Sequence, residues 1–192
     1  KGAGLEHLNS PNYVAVDSDK NLFVSECSKN RVVKWAPKAT SGVLVAGGNG
    51  KGARKGTPSV GRTSPRSAQQ SLRCRGVAID SNMNLFVADQ WNHRVVKWAP
   101  NAPWGVVVAG GKRKGKGLHQ LDRNGPQGVA IDSNMNLFVA DRSNDRVVKW
   151  PPDATSGVLV AGGNGHRVVK WAPKATSGVL VAWSKTRSVY VA

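Results

Sequence analysis

Acidic residues are what this chain has least of: 11 Asp and Glu stand against 28 Lys and Arg in 192 residues, a net charge of +17. That balance favours acidic partners and says little about fold. Long apolar runs are also missing. None approaches the roughly 18 residues of a membrane helix, so a soluble chain with no membrane insertion is expected. No apolar stretch shows helical spacing over the length of an average helix. Cysteines number two, Cys27 and Cys74, in unlike contexts, so a disulfide, a free thiol and an inert pair all stay open. No Asn-x-Ser/Thr sequon supports a secreted reading. The chain opens at Lys1 inside a linker, without a signal segment, and reads as a fragment or processed product whose compartment is unassigned.

What the chain does have is repetition. The pentapeptide Arg-Val-Val-Lys-Trp occurs four times, at 31–35, 94–98, 146–150 and 167–171. Each copy is followed, after a short turn, by an apolar run, at 43–46, 106–109, 158–161 and 179–182. Upstream, Val-Ala-Val/Ile-Asp ends at Asp17, Asp80 and Asp132, and Leu-Phe-Val recurs at 22–24, 85–87 and 137–139. A chain that repeats a four-segment unit is an array of supersecondary modules. In the second unit the candidate strands cover 76–80, 84–89, 94–99 and 105–109, all Val-rich and bounded by Asn, Gly, Pro or Ser. Segments 85–88 and 106–109 are apolar at consecutive positions, which predicts sheets covered on both faces. A sandwich would leave one face wet and predict alternation. Four-stranded antiparallel units covered by copies of themselves are β-propeller blades.

The predicted fold is therefore all-β: one propeller array over residues 1–192, with blades at about 13–48, 76–111 and 128–163 and a partial fourth over 166–192. The linker 49–75 holds an insertion, and the fourth unit lacks its first two strands. About three and a half blades fall short of the ~4–8 needed for ring closure. That predicts self-association to complete the ring, unless further blades lie elsewhere in a longer protein.

The segments Val77-Ala78-Ile79-Asp80, Asn84 through Asp89, and Asn92-His93-Arg94-Val95 closely resemble the NHL repeat. The resemblance covers nearly all of the chain outside residues 49–75, and its three motifs recur in order three times. It implies a β-propeller of NHL-repeat type, usually six-bladed, serving as a scaffold for protein or RNA binding. Such repeats also occur in some lyases and extracellular sensor domains. This chain departs from the pattern in blade number.

Several constellations could carry chemistry. Asp80-Ser81-Asn82-Met83-Asn84 and its copies at Asp17 and Asp132 mimic the opening of a calcium loop. The sixth position is Leu where the loop needs Gly, and the twelfth is Ser28, Trp91 or Ser143 where it needs Glu, so an Asx turn is the expectation and no metal is assigned. An acid precedes an Arg by five residues in each full unit: Glu26/Arg31, Asp89/Arg94 and Asp141/Arg146. The same pair in every blade reads as a structural latch across the turn rather than a catalytic pair. The histidines do not converge: His93 and His166 fall in turns, His7 and His119 in linkers. Trp35, Trp98, Trp150 and Trp171 recur with the repeat and read as packing residues. Trp91 and Trp104 stand where sibling turns carry Ser, so each is a candidate partner contact or a residue folded onto the rim.

Charge is concentrated in two linkers. Residues 49–75 carry Lys51, Arg54, Lys55, Arg62, Arg66, Arg73 and Arg75 with no acid. Residues 112–127 carry Lys112, Arg113, Lys114, Lys116 and Arg123 against Asp122 alone. In an up-and-down blade these linkers emerge on the same face as the turn holding Trp91 and Arg142, while Trp104 lies on the opposite face. The competing reading is a solvated, mobile linker. The expected function is a non-catalytic scaffold that binds a protein or peptide, with no cofactor. The alternative is single-stranded RNA or another polyanion. A propeller lyase or hydrolase fragment ranks below both, because no acid–base or metal set converges.

Overall fold

The computed structural model describes residues 4–48, 72–122, 124–162, 167–170 and 179–183. It contains three four-stranded antiparallel sheets, each connected in sequence order. The first comprises β1 (Pro11–Val16), β2 (Leu22–Glu26), β3 (Arg31–Trp35) and β4 (Val43–Gly47). The second comprises β5 (Cys74–Ile79), β6 (Leu85–Asp89), β7 (Arg94–Trp98) and β8 (Val106–Gly110). The third comprises β9 (Pro126–Ile131), β10 (Leu137–Asp141), β11 (Arg146–Trp150) and β12 (Val158–Gly162). A two-stranded sheet follows, β13 (Arg167–Lys170) with β14 (Val179–Trp183).

Repeated sequence produces repeated register. Leu22 faces Trp35, Leu85 faces Trp98 and Leu137 faces Trp150. The third-to-fourth strand pairing shifts between Val32 and Val33, and again at Val95/Val96, Val147/Val148 and Val168/Val169. The same bulge thus recurs in all four pentapeptides. The second and third units differ from a plain strand-and-turn reading by one 3-10 turn each, Gln90–Asn92 and Arg142–Asn144. The residue before each of the first three pentapeptides then turns left-handed: Asn30 at φ 53°, His93 at 53° and Asp145 at 50°. Short polar side chains tolerate that conformation best, which accounts for Asn, His and Asp at this position. His93 is a turn residue for this reason.

The sheets meet face to face. Strand β5 packs against both β1 and β9, so the first strands of the sheets converge. Val77, Leu85, Val87 and Trp98 of the second sheet share a core with Phe23, Val32 and Ala46 of the first. Leu137, Val139 and Trp150 of the third repeat that contact against Phe86, Val95 and Ala109 of the second. Leu and Val of the second strand thus face one neighbour while Phe and Ala face the other. Burying each of the Val, Leu and Phe side chains contributes about 1.5–3 kcal/mol. This architecture is an all-β propeller built of antiparallel four-stranded blades.

One expectation needs correcting. The fourth strands are not covered on both faces: Val43, Val106 and Val158 are each more than half exposed. Sheets that converge at their first strands splay apart towards their fourth, so the outer apolar run has no close neighbour on one side. The first sheet also keeps an open face. Val14, Val16 and Leu22 hold the positions of Val77, Ile79 and Leu85, yet all three are exposed. Residues 184–192, the end of the expected partial fourth unit, and residues 49–71 of the linker 49–75 lie outside the described residues.

Candidate interaction face

The register places an acid at the last residue of each second strand opposite the arginine that opens the third: Glu26 with Arg31, Asp89 with Arg94, Asp141 with Arg146. Each arginine Nε donates to the carboxylate, at 2.8 Å for Arg94 on Asp89 and 3.0 Å for Arg146 on Asp141, with Arg31 on Glu26 alike. All three carboxylates are fully buried. Their remaining oxygen capacity takes up the segment that precedes the blade. The Asp122 amide donates to Asp141 Oδ1 at 3.0 Å, the Arg73 amide donates to Asp89 Oδ1 at 2.9 Å, and the Asn9 amide donates to Glu26.

Two of the arginines complete the same link. Arg146 donates to the carbonyls of Lys116 at 2.6 Å, Gly117 at 3.0 Å and Gln120 at 3.1 Å, and Arg31 donates to that of Gly4 at 3.0 Å. The pair is therefore more than a latch across the turn. It anchors the entering linker onto the blade, a role the acid-to-arginine spacing alone did not reveal.

That anchoring decides how the basic residues are displayed. Leu121 is fully buried in the core between the second and third sheets, and Lys114 and Leu121 form a parallel bridge. With its backbone held by Arg146 and its apolar residue in the core, the linker turns Lys112, Arg113, Lys114 and Lys116 to solvent. Asn144 Nδ2 donates to the Gly115 carbonyl at 2.9 Å, and His93 Nδ1 lies 2.8 Å from the Asp122 carbonyl. Linker and turns thus form one surface, and the backbone of this linker is tied rather than free.

On the same face Trp91 sits in the 3-10 turn, 63% exposed, with the Arg73 guanidinium 4.2 Å from its ring centroid. Cation–π stacking of this kind restrains the indole while leaving it exposed. Arg75 is a strand residue of β5, and its Nε donates to Gln90 Oε1 at 2.9 Å, bracing the turn from beneath. Arg142 opens the equivalent turn of the third blade, where Asn124 Nδ2 donates to Ser143 Oγ at 2.7 Å. Lys51, Arg54, Lys55, Arg62, Arg66 and Arg123 lie outside the described residues. Trp104 is half exposed in the β7–β8 turn. Two of the pentapeptide lysines lie over blade aromatics: Lys34 covers Phe23 at 5.6 Å and Lys97 covers Phe86 at 5.8 Å.

The Asp-Ser-Asn turns are filled from within. Asp80 Oδ1 accepts from the amides of Asn82 at 2.9 Å and Asn84 at 2.8 Å, and its Oδ2 accepts from Asn84 Nδ2 at 2.7 Å. Asp132 repeats the pattern with Asn134 and Asn136. Among the described residues no three of His, Cys, Asp and Glu come together as a metal set. His7 and His119 are exposed on linkers.

Residues 72–98, which span β5 to β7, match the NHL repeat. Over 155 residues the chain is 26% identical to mouse peptidyl-glycine alpha-amidating monooxygenase, covering 76% of this chain and 14% of that protein. A gluconolactonase from Xanthomonas campestris superposes with a TM-score of 0.57 at 12% identity, over 82% of this chain and 49% of that one. A chain of the nidogen/laminin complex superposes with a TM-score of 0.51 at 17% identity, over 78% of this chain and 46% of the other. The described chain thus spans less than half of each relative, and the likenesses carry the fold, a β-propeller, with an NHL repeat at residues 72–98.

Proposed function

We propose that this chain is a non-catalytic propeller scaffold that binds an acidic protein or peptide segment on the linker face. The observation that carries the reading is Trp91, exposed and stacked under Arg73 in a turn where the sibling blades have Ser28 and Ser143. An exposed indole stacked with a guanidinium, on the linker face that also carries the exposed Lys112, Arg113, Lys114 and Lys116, suits an acidic segment with an apolar or aromatic residue. Tryptophan and arginine are the residues that most often dominate interface energetics. The recurrent carboxylates argue for structure over chemistry. Glu26, Asp89 and Asp141 are buried, each bound by an arginine and a linker amide, with no exposed oxygen to act as acid or base.

The test is fluorescence anisotropy with a labelled Glu-rich peptide and a labelled single-stranded RNA, each at low and high salt. Peptide binding that weakens with salt is expected, as is a loss when Lys112, Arg113, Lys114 and Lys116 are changed to Ser. Trp91→Ser should cost about 2 kcal/mol or more of peptide affinity. Tight RNA binding with a steep salt slope, and a Trp91 contribution of about 1–3 kcal/mol, would reassign the face to nucleic acid. Absence of both complexes at low salt would overturn the reading.

A further inference from the structure

The two cysteines, 47 positions apart, meet at the junction of the first and second blades. Cys27 follows β2 in the turn of the first blade, and Cys74 opens β5 of the second. Cys27 Sγ lies 2.6 Å from the Cys74 carbonyl oxygen. Reciprocally, Cys74 Sγ lies 3.2 Å from the Arg31 carbonyl and 3.7 Å from that of Glu26, the residue before Cys27. Cys27 Sγ rests on the Cys74 backbone and Cys74 Sγ on the carbonyl just before Cys27, so both thiols face the same junction. Cys74 is fully buried, whereas Cys27 is partly open to solvent. The arrangement belongs to this junction alone: at the matching positions the second and third blades carry Gln90 and Arg142 for Cys27, and Pro126 stands for Cys74 in the third.

We propose that Cys27 and Cys74 form a redox clasp, a dithiol site that reacts with a low-molecular-weight disulfide and cross-links the first blade to the second. The Cys27 thiolate attacks the small disulfide, forms a mixed disulfide and releases one small thiolate. Cys74 then gives up its proton, and its sulfur attacks the Cys27 sulfur, expelling the second small thiol. Two protein thiols are oxidised and one small disulfide is reduced to two thiols, so electrons and protons balance. The order of attack follows from the surroundings. The hydrogen bond with Cys74 lowers Cys27 from the ordinary 9.0 to about 7; burial opposes this, and Arg75 and Arg73 add to the lowering. The same hydrogen bond, together with burial, pushes the Cys74 thiol up. Cys27 is thus the exposed nucleophile, and Cys74 is the sheltered resolving thiol, consistent with thiolate-controlled exchange. Because each sulfur lies against backbone at or beside the other cysteine, closure calls for rotation of the two side chains rather than movement of the sheets. The cross-link closes the chain around the long basic linker and pins the junction at which the first blade would otherwise open.

The experiment incubates the full chain at neutral pH in a series of oxidised-to-reduced glutathione ratios. Free thiols, intact mass and Tm are read at each point. In the wild type, both thiols should disappear together, with the mass falling by two hydrogens, no glutathione retained, and a rise in Tm that dithiothreitol reverses. Cys74→Ser should retain glutathione on Cys27, and Cys27→Ser should leave Cys74 unreacted. Should either variant fail to fold, the wild-type mass pattern still decides. Wild-type protein that keeps glutathione on Cys27, leaves both thiols free, or links between chains on a non-reducing gel would overturn the proposal.

Discussion

Replacing Arg146 with methionine tests whether the recurrent ion pair holds the linker onto the blade. The Arg146 side chain is 9% exposed and that of Asp141 is 0% exposed. In Arg146→Met the Asp141 carboxylate stays buried with only the Asn144 amide group and the Asp122 amide as donors. The carbonyls of Lys116, Gly117 and Gln120 lose their shared donor at the same time. Breaking a buried pair from one side costs about 3–5 kcal/mol. A solvent-screened surface pair would cost about 0–1 kcal/mol. The two ranges do not overlap, so urea unfolding separates them, provided the slope with denaturant is unchanged. Arg146→Lys keeps the charge but not the fork of donors, and an intermediate loss is expected. Hydrogen exchange should accelerate at the Asp122 and Gly115 amides in Arg146→Met, because both lie in the released linker. A loss below about 1 kcal/mol with unchanged exchange would refute the anchoring role.

Gly76→Ala would place a Cβ 2.6 Å from the Gln127 carbonyl oxygen and 2.8 Å from Gly128 Cα. Both are backbone atoms of the next blade, so β5 and β9 must separate; calorimetry should show a loss of about 1–3 kcal/mol, and an unchanged Tm would contradict the close approach. Acid should act on the Asx turns. For Asp17 and Asp132 burial alone would raise the pKa, but hydrogen bonds from Asn21 and Asn136 and the charges of Lys34 and Lys149 outweigh it, leaving both below the ordinary 3.8. Their contribution to stability is whole above that ordinary value and is lost as pH falls through the lowered native values. Circular dichroism across that range should show Asp132→Asn flattening the acid limb, and an identical limb would count against these carboxylates.

The strands, their order and their shared register were legible in the sequence, because each rests on short-range chemistry. Val-rich pentapeptides make strands, Asp-Ser-Asn makes an Asx turn, and the residue before each pentapeptide is one that tolerates left-handed backbone. The acid and arginine five apart also announced their pairing, since a tight turn brings those positions opposite each other. The tertiary structure decided what those local rules do not reach. Exposure of Val106 and its siblings depends on how far neighbouring sheets splay, a property of their packing angle that apolar composition does not encode. The linker's display of its lysines depends on Arg146 reaching carbonyls 26 to 30 positions away. Cys27 and Cys74 had unlike local contexts and no motif spacing; only the docking of the second blade on the first brings the two thiols together. Repeats fix what each blade is, while contacts between blades, which link residues far apart in the chain, set which side chains meet.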